Sequence, residues 1–526
     1  MSTVSAAALA ALLRAAGGED AAVRADGSLR CRVPRWEIPA LADRLGVQGL
    51  SLELLAATDT RPETGDFTLT YVFAAAPPRH PVVVLASVPV DAPQFPSLAT
   101  RSFPASRFER EIHDLLGLVP LGHPELRRLA LHQFWPEGYY PLRRDAVPRR
   151  DFVDAGQPFP FRRVEGPGVF EITVGPVHAG IIEPGHFRFS VAGEDIVSLE
   201  TRLGFVHKGT EKLFETLPLS RTPELAERVS GDESVAHALA YCEALERLTG
   251  AAVPPRAAWL RVILLELERL YNHVGDVGMI VNDTGFAWGH AHCFRLREEL
   301  LRLNARITGH RLLRGAMVPG GIAGPAVDAP LDEVADTVNR VAADFHTIVR
   351  ICLDNTMVLE RLQGTGRLTT KTAREMGVVG LVARASGIDA DLRRDAPFAA
   401  YRELEVTPAV YAQGDVWART MVRVDEVRES VRLITAAAQR APAGAPRVLL
   451  PPLPAGGDVV TCVEAWRGPV WYWVLAAGPE RLRRVKLVDP SFRNWPALEL
   501  AVLENIVPDF PLCNKSFNLS YSGSDL

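Results

Sequence analysis

The spacing of hydrophobic positions changes character along the chain. Early on, short alternating runs dominate: "FTLTYVFAA" from Phe67 and "PVVVLASVPV" from Pro81 are rich in β-branched residues and predict strands. Then "RFEREIHDLLGL" sets Phe108, Ile112, Leu115 and Leu116 at helical spacing. A small α+β domain over residues 1–150 is the reading. From Asp145 to Gly168 the chain is dense in Pro, Gly and charge with no sustained period, which predicts a linker, placed at 151–168.

The remainder, 169–526, reads as a larger domain. It opens with a β-like stretch, "VFEITVGPVHAGIIEPGHFRFSVAGEDIVSLETRLGF", and turns helical from about Glu211 to Ile434. The richest apolar helix, "WLRVILLELERLYNHVGDVGMI", carries Arg261, Glu266, Glu268, Arg269 and Asp276. It predicts a long buried helix of a soluble domain, because a membrane span needs about 20 uncharged apolar residues. Near the C-terminus, "WRGPVWYWVLAAG" and "RLRRVKLVD" predict a hairpin. The expected fold is α+β: a small α+β domain followed by a larger, mainly helical one.

Composition narrows the partners. Hydrophobic residues are 47% and charged residues 23%, with a net charge of −5, so there is no basic footprint for nucleic acid. The six cysteines form no CxxC pair, which argues against a locally held iron–sulfur cluster or zinc and fits a reducing compartment. No Lys or Arg precedes the first apolar run, so a secretory signal is not expected. Attachment to a membrane is expected only through partners.

Candidate chemistry concentrates in three stretches. The turn Arg228-Val-Ser-Gly-Asp-Glu233 runs into a helix carrying His237. Ser230 and Glu233 have the S-x-x-E spacing of a capping box, in which each side chain satisfies the other's backbone N–H. The same turn also gathers Arg228, Asp232, Glu233 and His237, as a catalytic corner does. "GPVHAGIIEPGHFRF" places His178, Glu183, His186 and Arg188 in a Gly/Pro-rich loop, where backbone approaches ligands closely but no common zinc spacing occurs. "GFVHKGTEKLFE", with Lys208, Glu211 and Lys212, reads as a solvated helix face. A P-loop is absent, and "GGIAGPAVDAP" follows a helical pattern rather than a strand, so no NADH site is expected.

These stretches carry a family resemblance. Gly175 to Leu526 resembles the large subunit of energy-converting nickel–iron hydrogenases and the subunit that forms the quinone site of respiratory complex I. The likeness runs through "GPVHAGIIEPGHFRF", "RLGFVHKGTEKL", "VAHALAYCEALERL", "ELERLYNHVGDVGMIVNDTGFA", "ARASGIDADLRRDAPFAAY" and "GDVWARTMVRVDEVRESVRLI". Residues 1–150 resemble the 30-kDa-type subunit of complex I through "FEREIHDLLGLVPLGHPELRR" and "YYPLRRD". The fused layout is that of the formate hydrogenlyase and hydrogenase-4 large subunit.

What the resemblance implies is specific. Such hydrogenases hold nickel and iron through two thiol pairs, R-x-C-G-x-C and D-P-C-x-x-C, since soft sulfur suits these metals. Here the first pair falls on Ser230 and Glu233. The second, if "DFPLCNKSFN" is its counterpart, falls on Cys513 and Ser516. One thiol of four remains, and no Ni–Fe centre is expected. Glu183 resembles a glutamate that ligates a structural magnesium, although Ile181 replaces its arginine and Pro184 intervenes. A quinone or another acceptor is implied near His178, His186, Arg228, Asp232 and His237, with Glu211, Asp232 and Glu233 as proton-coupling acids. The implied partners are an iron–sulfur small subunit and membrane-embedded, ion-translocating subunits, with this chain on the cytoplasmic side. A genuine hydrogenase and an inactive assembly scaffold are the alternatives.

Overall fold

The computed structural model describes residues 5–24, 26–75, 80–149, 151–153 and 156–526. The N-terminal part carries α1 (Ala6–Ala15), α2 (Ile38–Val47) and α3 (Phe103–Leu116). Its sheet comprises β1 (Glu19–Val23), β2 (Leu29–Arg32), β3 (Leu50–Asp59), β4 (Asp66–Ala75) and β5 (Val82–Pro89). The order is β1-β2-β5-β4-β3, with β2 and β5 parallel and the other neighbours antiparallel. The two runs read as strands are β4 and β5, and the helical run is α3. Strand β3 lacks clean alternation because it is buried along nearly its whole length, and a strand covered on both faces has no polar side to display.

Of the expected linker, residues 150, 154 and 155 lie outside the described residues; the rest, to Gly168, carries no helix or strand. A second sheet follows, β6 (Val169–Val174), β7 (His186–Ala192) and β8 (Asp195–Arg202), ordered β8-β7-β6. After α4 (Thr210–Thr216) comes a helical bundle: α5 (Ser234–Thr249), α6 (Pro255–Asp283), α7 (Ala287–Thr308), α8 (Leu331–Leu353) and α9 (Val416–Arg440). Helix α6 is the axis, packed against α7 and α9. It is the apolar helix expected from sequence, and among the described residues no helix is long and apolar enough to cross a membrane.

The hairpin near the C-terminus exists and gains a partner. Strands β9 (Asp458–Glu464), β10 (Pro469–Gly478) and β11 (Arg481–Val488) form one antiparallel sheet. Period-2 alternation sorts its two faces. Val459, Val463, Tyr472, Val474 and Val485 join the helical core, whereas Val460, Trp471, Trp473 and Val488 join the core of the N-terminal part. This sheet therefore bonds the two domains. The chain closes with α10 (Pro490–Ala501), α11 (Phe510–Phe517) and α12 (Tyr521–Asp525).

One reading is corrected here. Glu211, taken from its charge run as a solvated residue, is buried in α4. Lys486 of β11 donates to it at 2.9 Å and also to Glu111 of α3 at 2.7 and 2.6 Å. The sequence pattern on α4 cannot reveal partners that arrive from a strand as far as 275 residues away.

Candidate functional site

The turn 228–233 sits where α5 begins, and α6 holds it. The capping box does not form: Glu233 is the N-cap of α5 but its side chain caps nothing. Instead Glu268, on α6, accepts from the backbone N–H of Val235 at 2.6 Å and of Ala236 at 3.1 Å. A buried carboxyl at a helix start satisfies orphan donors. The Asp232 carbonyl accepts from Asn272 Nδ2 at 2.7 Å and Trp466 Nε1 at 3.0 Å. The turn is thus fixed by neighbouring elements, which frees its own side chains.

Those side chains face a buried group that sequence reasoning missed. Arg467, just beyond β9, donates to both Asp232 oxygens at 2.8 and 2.7 Å. It also lies 3.4 Å from Glu233. Burial raises the Asp232 carboxyl, and Arg467 more than offsets that, leaving it below its ordinary range. Glu233, fully buried, is pushed well above the ordinary carboxyl value by burial and then by Asp489.

His237 forms the floor. Its Nε2 lies 3.1 Å from Asp489 Oδ2 and its Nδ1 3.1 Å from the Tyr472 hydroxyl. Burial raises Asp489, but the hydrogen bond and charge of His237 bring it down to about 2. An ionised Asp489 only accepts, so Nε2 carries the proton. Glu233, His237 and Asp489 present ligand atoms within 4.8 Å of one another, and they are the one such buried group of three among the described residues. No CxxC or HxxH spacing announces it, because its members come from α5, the turn before it and the N-cap of α10.

The remaining expected residues do not all converge. Arg228 is exposed and donates to the Glu224 carbonyl at 2.7 Å, turning away from the floor. His178 bonds the Gly185 carbonyl at 2.7 Å and His186 the Gly175 carbonyl at 3.4 Å, both inside their own loop. Phe161 packs against His186 at 5.3 Å. Glu183 accepts from Ser522 N–H at 2.9 Å. The loop therefore meets α12 rather than Asp232.

Cys513 lies in α11. Its thiol is buried in α11 and pushed up to about 12 by burial. Ser516 donates to the Cys513 carbonyl at 2.6 Å and accepts from Arg419 at 2.8 Å. The residue that faces Ser230 is Ser520, with the two hydroxyl oxygens 2.8 Å apart. Gly523 lies one turn on and donates its N–H to Ser520 Oγ at 2.9 Å. Ser520, with Gly523 three residues on, thus stands against Ser230.

Comparison with known proteins agrees with this architecture. Residues 32–151 match the family model of the 30-kDa subunit of respiratory-chain NADH dehydrogenase, and residues 283–452 match that of the 49-kDa subunit. Formate hydrogenlyase subunit 5 of Escherichia coli (strain K12) is 32% identical, spanning 91% of this chain and 85% of its own. The chain belongs to that family. It is a fused, complex I- and hydrogenase-related oxidoreductase subunit. Another relative in the same strain, hydrogenase-4 component G, is 33% identical over 90% of this chain and 83% of its own. The NADH-quinone oxidoreductase C/D fusion of Bdellovibrio bacteriovorus is 27% identical over 79% of this chain and 80% of its own. Among solved structures, a chain from the membrane-bound sulfane sulfur reductase, an archaeal respiratory membrane complex, matches with a TM-score of 0.64. That match has 26% identity and covers 68% of this chain and 99% of the other.

Proposed function

We propose that this family member forms the electron-acceptor cavity of a membrane-attached redox complex and does so without a Ni–Fe centre. The carrying observation is the donor set at the turn. Ser230, Glu233 and Ser520 offer hydroxyl and carboxyl oxygens, and Gly523 offers no side chain. Nickel and iron in hydrogenases need soft thiolates that can bridge them, and this set has none. For magnesium, Glu183 offers an oxygen already engaged by Ser522, and it belongs to no group of three ligands among the described residues. We propose no magnesium there.

In this reading the chain closes against an iron–sulfur small subunit on the cytoplasmic side, and ion-translocating membrane subunits lie beyond. A quinone or another acceptor takes electrons from the partner's cluster beside Asp232 and Arg467. A quinone-class acceptor gains two electrons and two protons on full reduction. Glu233 supplies one proton and solvent at the Asp232 rim the other, and the Arg467 guanidinium stabilises negative charge before they arrive.

The test is metal analysis of the intact complex, with a hydrogen assay on the same sample. We expect no nickel, iron accounted for by partner clusters, and no hydrogen evolution. About one nickel per chain with hydrogen activity would overturn the reading.

A further inference from the structure

Behind Trp466 lies a second buried ionic cluster that the acceptor site does not use. Helix α6 contributes Glu266, Arg269 and His273, α9 contributes Glu426, and β9 contributes Glu464. Arg384 comes from the helical segment Gly380–Ala385, and Asp391 and Arg393 from the start of Leu392–Asp395. All eight are at most 1% exposed. Tyr401 and Ser430 close the cluster by donating to Glu266.

Its charges do not balance. Three guanidiniums face four carboxylates. An unpaired charge sealed from water is costly, so the cluster keeps one proton more than its ionised forms supply. His273 does not carry it: Nε2 lies 2.7 Å from Glu426, and Nδ1 is buried with no acceptor. An imidazolium there would strand a buried N–H. Among the acids, Glu266 is held by Arg393, Arg269, Tyr401 and Ser430, and Glu426 by Arg384, Arg269 and His273. Asp391 is chelated by Arg393. Glu464 has only Arg384 at 2.9 Å and the N–H of Leu392 at 3.2 Å.

We propose that Glu464 is a buried proton store, holding the cluster's extra proton and exchanging it in response to charge at the Asp232–Arg467 site. Burial and then Asp391 raise its carboxyl to about 7, which fits this role. The link is short. Glu464 begins the segment that runs through Trp466 to Arg467, and the Trp466 ring lies between the His273 ring, at 5.9 Å, and the Arg467 guanidinium, at 3.9 Å. Across such a dry interval a new negative charge raises the proton affinity of its neighbours. The storage holds whether or not an acceptor binds; only the exchange rests on the function proposed above.

The experiment is infrared spectroscopy of the full chain in its complex, comparing protonated-carboxyl bands. At about pH 6 the wild type should show one band that E464Q lacks, and E464D should move it. The band should disappear as pH rises past about 7, and H273Q should retain it. D232N, which makes the neighbouring site less negative, should shift its titration to lower pH. Identical wild-type and E464Q spectra, or an E464D spectrum with the wild-type band in place, would overturn the store. A band absent from the wild type but present in H273Q would place the proton on the imidazole instead. A titration unmoved by D232N would overturn the exchange, while nickel in the complex would refute the acceptor reading and leave the band intact.

Discussion

Arg467 clasps Asp232 through both of its terminal nitrogens, at 2.8 and 2.7 Å, and so ties the end of β9 to the turn that starts α5. The pair sits at a boundary: Arg467 is 3% exposed at its side chain, while Asp232 is 37% exposed. A fixed cation lies just inside the protein with its counter-ion at the rim.

Removing the counter-ion should therefore cost stability and change its neighbour. D232N loses a bidentate, charge-assisted pair, a cost of about 2 kcal/mol. Arg467 then turns its field on Glu233, 3.4 Å away, and Glu233 gives up its proton more readily. Urea midpoints and the carboxyl infrared band of Glu233 read the two effects separately. An unchanged midpoint would mean that solvent at the rim already screens the pair.

Glu268 gives a pH signature. Burial raises its carboxyl to about 8, although it accepts from Val235 and Ala236. The folded state then binds more protons than the unfolded state, so stability falls as pH climbs from the ordinary 4.5 to about 8. This group's share is on the order of 1.4 kcal/mol per unit across that window. E268Q keeps an acceptor oxygen for the two N–H groups but cannot ionise. Denaturation at several pH values should show a shallower slope for E268Q, and equal slopes would refute the assignment.

The opposite sign belongs to Asp489. Its folded value of about 2 lies below the ordinary 3.8, so its stabilisation is present above pH 3.8 and is lost as pH falls toward 2. D489N removes that acid limb and should lower stability at neutral pH by about 2 kcal/mol. Acid titration followed by circular dichroism compares the two chains. A wild type with no extra loss in this window would show that His237 does not hold the carboxylate.

Much of this fold was legible because its signals are local. β4, β5, α3, α6 and the β10–β11 hairpin each follow from residue spacing, and the family likeness follows from long motifs. The site was legible only where one segment carries it, as in Asp232 and His237. Arg467, Asp489, Ser520 and Glu268 reach the turn from other elements, and no period in their own segments points there. The capping box failed for the same reason: S-x-x-E is a local pattern, and Glu268 outcompeted it from across a helix pair. Ser520 was likewise not legible, because it meets Ser230 through space rather than along a motif.

The last expectation concerns how the two fused domains are held. Lys486 on β11 reaches Glu111 on α3 and Glu211 on α4, with all three buried. Arg484 on the same strand also pairs with Glu211, at 2.6 Å. K486M should leave Glu111 without a counter-ion in a dry interface and cost about 3–5 kcal/mol, the usual penalty for breaking one side of a buried pair. The double change E111Q/K486M removes the stranded charge, while Arg484 still serves Glu211, so it should recover most of that loss. Trp471 and Trp473 lie in the core shared by β10 and the N-terminal sheet, so their fluorescence reports this interface directly. If the interface unfolds with the rest in the wild type but separately and earlier in K486M, the ion cluster is what makes the fused chain behave as one unit. If K486M alone is neutral, apolar packing by Trp471, Trp473 and Phe492 already suffices, and the buried lysine serves register rather than strength.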